Sequence, residues 1–249
     1  MKLEVKNISK CFESGKKAVQ ALDGVSFEIN SGEIFGFVGA NGAGKSTTMR
    51  IIMGVLSLDN GEVLVDGKQI SQEDRQAIGY MPSERGLYPK MKVNQQLQFF
   101  GEIHGLSPKE AKEQADFWID KLSVREYAEK TLTTLSTGNQ QRVQLAAALV
   151  GKPKMLILDE PFSGLDPLAV KVMSGVIKEF ANQGMPVLFS SHQLELIDEL
   201  ADKVGIIQKG KMVADGTPDE LRKQAHAPAK IEIPTPLANI FGDLIKEGE

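Results

Sequence analysis

Residues 33–52, EIFGFVGANGAGKSTTMRII, constrain this chain more than any other stretch. A continuously apolar run suits a buried strand of a parallel sheet. It feeds a glycine-rich loop, and the chain then continues as a helix. Gly39, Gly44, Lys45 and Ser46 fit the spacing G-x-x-x-x-G-K-[ST], in the strand-to-helix context that the motif requires. The glycines let backbone N–H groups converge on phosphate oxygens with no Cβ in the way. The helix N-terminus adds favourable potential for the anion. Lys45 is expected on the β- and γ-phosphates and Ser46 on Mg²⁺. Ala40, Asn41, Gly42, Ala43 and Thr47 complete the cradle.

A second loop-to-helix junction lies far downstream, LSTGNQQRVQLAAALV at 135–150. Its Ser- and Gly-bearing turn also opens an apolar helix. Between the two junctions and the C-terminus, KMLILDE reads as a short buried strand ending in Asp159 and Glu160. Acids at that end emerge where open α/β sheets bind ligands. Asp159 suits the water shell of Mg²⁺, and Glu160 can polarise an attacking water as a general base. His192 follows the strand PVLFSS, placed beside the acidic one. Spacing alone leaves it open between a surface or capping residue and a hydrogen-bonding partner of the γ-phosphate.

The remaining elements follow from periodicity. Leu3 to Ile8 and Val25 to Ile29 read as strands, and GEVLVDGKQI as a hairpin turning at Asp66-Gly67. The region about 90–150 is helical: Val93, Leu97, Phe100 and His104 share one face, and Ala111, Ala115, Trp118 and Leu122 another. Ser107, Pro108 and Glu110 read as N-cap, first-turn proline and capping-box acid; Thr217-Pro218-Asp219-Glu220 repeats the logic. Ala169, Met173, Val176, Ile177 and Phe180 line a further helix, with KVGIIQ and KMVADG as later strands. Alternating strands and helices imply an α/β fold with a mainly parallel sheet and an inserted helical subdomain at about 90–150. The unit is expected to span 1–226. Residues 227–249 then form a short extension whose Leu237, Ile240, Phe241, Leu244 and Ile245 recur at helical spacing.

A net charge of −4 argues against a nucleic-acid coat. The single cysteine, Cys11, allows no intrachain disulfide and fits a reducing compartment. No run reaches the roughly 18 apolar residues a spanning helix needs. Any service to a membrane therefore calls for another chain to cross it.

Taken in order, GANGAGKST, LSTGNQQ, MLILDEP, SGLD and SSH resemble the ATP-binding subunit of an ABC transporter, over about residues 1–225. The resemblance implies a P-loop ATPase core, an antiparallel β-subdomain and a helical subdomain. It implies ATP and Mg²⁺, with Ser46 and Asp159 toward the metal, and Glu160, His192 and Lys45 as the catalytic set. Phe12 matches the aromatic that stacks on adenine. It also implies a head-to-tail pair with a second ATP-binding subunit, expected as a homodimer with a heterodimer left open. There Ser136, Gly138, Gln140 and the following helix of one copy would close on the γ-phosphate held by the other. Residues 163–166 resemble the loop linking the two sites, and His192 matches the family's switch histidine.

The implied partner is a membrane-spanning permease, with the chain held at the cytoplasmic face of the membrane and no nucleic acid bound. Two departures stand out: Thr137 and Asn139 replace residues of the usual Leu-Ser-Gly-Gly-Gln turn, and Ser83 stands where the family has a longer Gln. ERGLYPKM resembles a bacterial branch used for sodium or drug efflux, which favours export. Two alternatives are a soluble ABC-type ATPase without a permease and a regulatory nucleotide-binding module without turnover. The first usually carries two ATPase halves or a long coiled coil. Glu160 and His192 argue against the second, while Ser83 argues for it.

Overall fold

The computed structural model describes residues 1–14, 17–84 and 86–224. The apolar run predicted as a buried strand is β3, Ile34–Val38, buried along its whole length. It lies inside a six-stranded sheet with β6 (Ile78–Met81), β7 (Met155–Leu158), β8 (Val187–Ser191), β9 (Lys203–Gln208) and β10 (Lys211–Gly216), in the order β10-β9-β3-β8-β7-β6. All neighbours pair in parallel except the edge strand β10. The strands β3, β7 and β8 are apolar on both faces because both faces are covered.

One cover is a four-stranded antiparallel sheet, β2-β1-β4-β5, made of β1 (Leu3–Ser14), β2 (Lys17–Ile29), β4 (Asn60–Val65) and β5 (Lys68–Gln69). With α1 (Lys45–Ile52) it closes a core in which Phe27 stacks on Phe35 at 5.0 Å. Each such ring contributes about 1.5–3 kcal/mol by leaving water. The Asp66-Gly67 turn joins β4 to β5 with φ of 49° and 77°, the positive pair that a two-residue hairpin turn demands.

The other face is covered by helices. Between β6 and β7 the chain forms α3 (Val93–Ile103), α4 (Pro108–Lys121) and α5 (Thr137–Leu149), while a short α2 (Gln72–Gln76), capped by Ser71, precedes β6. The α4 start has the expected capping box: Ser107 Oγ accepts from Glu110 N–H, and the Glu110 carboxylate accepts from Ser107 N–H. Ala111, Ala115 and Leu122 are buried as the stripe requires. α6 (Pro167–Asn182) buries all five of its predicted core residues, and α7 (Leu194–Leu200) and α8 (Pro218–Gln224) complete the layer. Thr217 and Glu220 hold the start of α8 reciprocally.

The first hairpin is longer than its periodicity suggests. β1 runs on to Ser14 and β2 begins at Lys17, beyond the predicted ends at Ile8 and Val25. The extra length is held mainly by ladder pairing, with Leu22 the buried side chain among its described residues. Register shifts after Val5, Ile8 and Lys10, with Asn7 at φ 50°, break the apolar alternation there. The residues of the predicted C-terminal helix lie outside the described residues.

Candidate functional site

Parallel register places the site. Val38 of β3 pairs with Ser191 of β8, and Leu158 of β7 pairs with Phe189. The glycine loop, Asp159-Glu160 and His192 thus leave three adjacent strands at the same edge, as open α/β sheets dictate.

The loop turns back on itself through Ala43 N–H to Ala40 O at 3.1 Å, leaving Ala40, Asn41 and Gly42 exposed at its crest. Gly39 and Ala43 are buried at its base, and Ser46 and Thr47 are half-buried in the first helical turn. Gly44 is the N-cap of α1 at φ 116° and supplies no side-chain cap to the first N–H groups. Only glycine suits this position: a Cβ would stand 2.6 Å from Leu22 Cδ2 and 3.0 Å from Ala21 O. The uncapped helix start and the crest together have the geometry that suits an anion.

Lys45 is 6% exposed, with its Nζ donating to Gly39 O at 2.6 Å and Ala40 O at 3.3 Å. The same ammonium lies 3.6 Å from Glu160 Oε1. His192 Nδ1 is 2.8 Å from the other oxygen, Glu160 Oε2. The strand order thus brings Lys45, Glu160 and His192 together. The spacing of the sequence left His192 open between a surface or capping residue and a phosphate contact; here its Nδ1 is engaged by Glu160.

Glu160 sits in left-handed backbone at φ 53°, which costs a non-glycine residue about 1–2 kcal/mol. Its N–H donates to Ser190 Oγ at 2.8 Å. Its carbonyl accepts from Ser163 N–H at 3.2 Å and Gln141 Nε2 at 3.4 Å. Asp159 is fully buried, and Ser190 Oγ–H donates to its Oδ1 at 2.7 Å. Asp159 Oδ2 and Glu160 Oε1 are buried without a hydrogen-bond partner. Oxygens left this way are costly unless something occupies them in function. Burial, and after it the charge of Asp159, pushes the Tyr80 phenol above its usual range.

Oxygen donors suit Mg²⁺, which is held by one or two carboxylates together with substrate phosphates. Asp159 and Ser46 fit that use. No group of three or more His, Cys, Asp or Glu suited to a metal occurs among the described residues, and such a Mg²⁺ site needs none.

The second junction is built differently. Ser136 caps α5, its Oγ accepting from Asn139 N–H at 3.3 Å, and Ser136 and Thr137 are exposed with Gly138 half-buried. Gln140, expected among the nucleotide contacts, points inward: its Nε2 donates to Leu132 O and Leu135 O and it is buried. It shapes the turn from behind rather than facing outward. Asn139 is likewise buried and bonded to Arg142. α5 reads as apolar in sequence, yet its first turns bury four polar side chains, including Gln141 and Gln144. Gln144 Nε2 donates to Pro82 O at 2.8 Å and Glu84 O at 3.2 Å, tying α5 to the loop that carries Ser83. Arg50 of α1 meets the same loop at Glu84, 3.3 Å away.

Phe12 is 38% exposed on β1, paired with Val19, with Lys10 Nζ 5.8 Å above its ring. Two residues back, Lys10 pairs with Leu22, the residue packed at Gly44. Phe12 therefore stands about 7 Å along the strand from that contact. Ser190, Gln141 and Arg50 were not singled out by sequence reasoning. Two serines closing an otherwise apolar strand were the available signal for Ser190.

Comparison with known proteins bears on this geometry. A family profile described as "ABC transporter" matches residues 22–163. The chain is 40% identical over 221 residues to the ABC transporter ATP-binding protein YhaQ of Bacillus subtilis (strain 168), covering 89% of this chain and 73% of that protein. It is 38% identical to the linearmycin resistance ATP-binding protein LnrL of the same organism, covering 88% and 70%. A solved structure of an ATP binding subunit of an ABC transporter superposes with a TM-score of 0.85 at 28% identity, covering 98% of this chain and all of the other. With its phosphate loop, acidic strand end and two-sheet core, the chain belongs to the ABC transporter family, as an ATP-binding ATPase subunit.

Proposed function

We propose that this subunit hydrolyses Mg²⁺-ATP between two copies of itself and so drives a separate membrane permease, in the direction of export. The observation that carries the hydrolytic part is the convergence of Lys45 and His192 on the two oxygens of Glu160, beside a buried Asp159. Gly39, Ala40, Asn41, Gly42, Ala43, Gly44 and Thr47 hold phosphate by backbone N–H groups, and Lys45 adds charge. Ser46 and Asp159 hold Mg²⁺, which supplies neutralisation of the charge developing on the transferred phosphoryl group. Glu160 takes a proton from the attacking water, and His192 keeps its carboxylate aimed. Phe12 carries the adenine.

Ser136 and Gly138, outward on α5, serve the ATP of the opposite copy. Charge-assisted hydrogen bonds contribute about 1.5–3 kcal/mol each, so a few at two such turns are enough to close a weak pair. Loss of the γ-phosphate removes them and reopens it.

Among the described residues no helix is long and apolar enough to cross a membrane. Tyr88, Phe99 and Ile103 form an exposed aromatic and aliphatic patch beside the loop that Gln144 and Arg50 tie to the site. Such a patch suits a protein partner. Export is supported by the ERGLYPKM stretch and by the resistance role named for LnrL. The ATP-binding unit is taken as 1–226.

The test is to purify the tagged chain from detergent-solubilised membranes of its own organism. A multi-spanning membrane protein retained in stoichiometric amount is expected. Recovery of the chain in the soluble fraction alone would contradict the permease reading.

A further inference from the structure

We propose that Ser190 is a positioning residue for hydrolysis, one hydroxyl that aims both acids of the site. This rests on the hydrolytic reading above and deepens it. Ser190 has no exposed surface and sits in β8, between β3 and β7. Its Oγ–H donates to Asp159 Oδ1 at 2.7 Å while the same oxygen accepts Glu160 N–H at 2.8 Å.

The two bonds do different things. The first fixes the rotation of the Asp159 carboxylate, with Oδ1 engaged by the hydroxyl and Oδ2 without a hydrogen-bond partner, the oxygen that would serve Mg²⁺. The second holds the backbone of Glu160 in its left-handed conformation at φ 53°. That conformation turns the Glu160 side chain toward Lys45 and His192. A hydroxyl donates once and accepts twice, so it serves both acids at once. A methyl group serves neither, and a thiol does so weakly.

A serine merely satisfied in a core would also make hydrogen bonds. What separates the two roles is which property fails when the hydroxyl goes. A positioning role moves Mg²⁺ dependence and turnover and spares nucleotide binding without metal, which depends on the loop and Lys45.

The experiment compares Ser190→Ala, Ser190→Cys and Ser190→Thr with the unaltered full chain. It measures kcat, the Mg²⁺ concentration for half-maximal activity, and ATP affinity in EDTA. For Ala and Cys the expected results are a kcat lower by about 100-fold and a Mg²⁺ requirement higher by at least about tenfold. Affinity in EDTA is unchanged, and Thr, which keeps the hydroxyl, restores both properties. Should Ser190→Ala lose binding in EDTA through misfolding, the near-isosteric Cys variant decides. Wild-type kcat and Mg²⁺ dependence in Ala or Cys would overturn the proposal, as would a Thr variant as impaired as Cys with EDTA binding intact.

Glu160→Gln is assayed alongside. Normal hydrolysis in that variant overturns the underlying site reading. Hydrolysis lost there but intact in Ser190→Cys overturns only the role of Ser190.

Discussion

His192 Nδ1 lies 2.8 Å from Glu160 Oε2, although the two residues leave different strands and stand 32 positions apart. β7 and β8 are adjacent and parallel, so residues just past their C-terminal ends necessarily meet. Lys45 approaches the other oxygen of the same carboxylate at 3.6 Å. A carboxylate held from both sides has one orientation, which is what the proposed proton abstraction in a fixed geometry requires.

Glu160→Gln keeps the shape and the contact with His192 but removes the basic oxygen pair. Turnover is expected to fall by about 10²–10⁴-fold while ATP binding persists. Steady-state hydrolysis and equilibrium nucleotide binding on the same preparation check it. Normal hydrolysis would sink the assignment of the base.

Lys45→Ala removes the buried ammonium at the loop. The loss of charge-assisted bonds worth about 1.5–3 kcal/mol each corresponds to at least about a tenfold weaker ATP affinity. Titration of a fluorescent ATP analogue measures it. An unchanged dissociation constant would count against the loop as the phosphate site.

Phe12→Ala tests adenine stacking. Base–aromatic stacking contributes about 1–3 kcal/mol, so ATP affinity is expected to drop while inorganic triphosphate binds as before. Because Phe12 is well exposed, thermal stability is expected to change little. Equal weakening of both ligands would place Phe12 outside the base pocket.

Ser107→Ala removes a helix cap far in sequence from the chemistry. A melting temperature lower by about 2–4 °C with unchanged kcat is expected. The Ser107 hydroxyl, and after it the Ser107 N–H, hold the Glu110 carboxyl below its usual range. A lowered carboxylate pKa stabilises fully above the unfolded value, about 4.3, and the contribution fades as pH falls through the lowered value. The stability difference between variant and wild type is therefore expected to narrow on acidification, down to the part carried by the Glu110 N–H to Ser107 Oγ bond. A constant difference down to strongly acid pH would contradict the capping box.

Much of this was legible in the sequence because it is local. The glycine loop needs particular residues at particular offsets, and the acids end a strand whose four apolar residues mark it as buried. Capping boxes at Ser107 and Thr217 are likewise settled within four residues. What was not legible depends on strand order. The single hydroxyl of Ser190 serves two acids only because β8 lies beside β7. Gln140 sits in a turn that suggests an outward role, but its amide is used on the carbonyls of Leu132 and Leu135. The first hairpin runs past its predicted ends mainly because backbone pairing extends it, with Leu22 the buried side chain among the described residues added.

The central claim is that ATP is held between two copies, by Lys45 of one and the Ser136 turn of the other. Small-angle scattering of Glu160→Gln, saturated with ATP and Mg²⁺, tests it most directly. The expected particle has twice the 27.1 kDa of one chain and returns to a single chain when ADP replaces ATP. Particles that remain at the mass of one chain with ATP bound would contradict it.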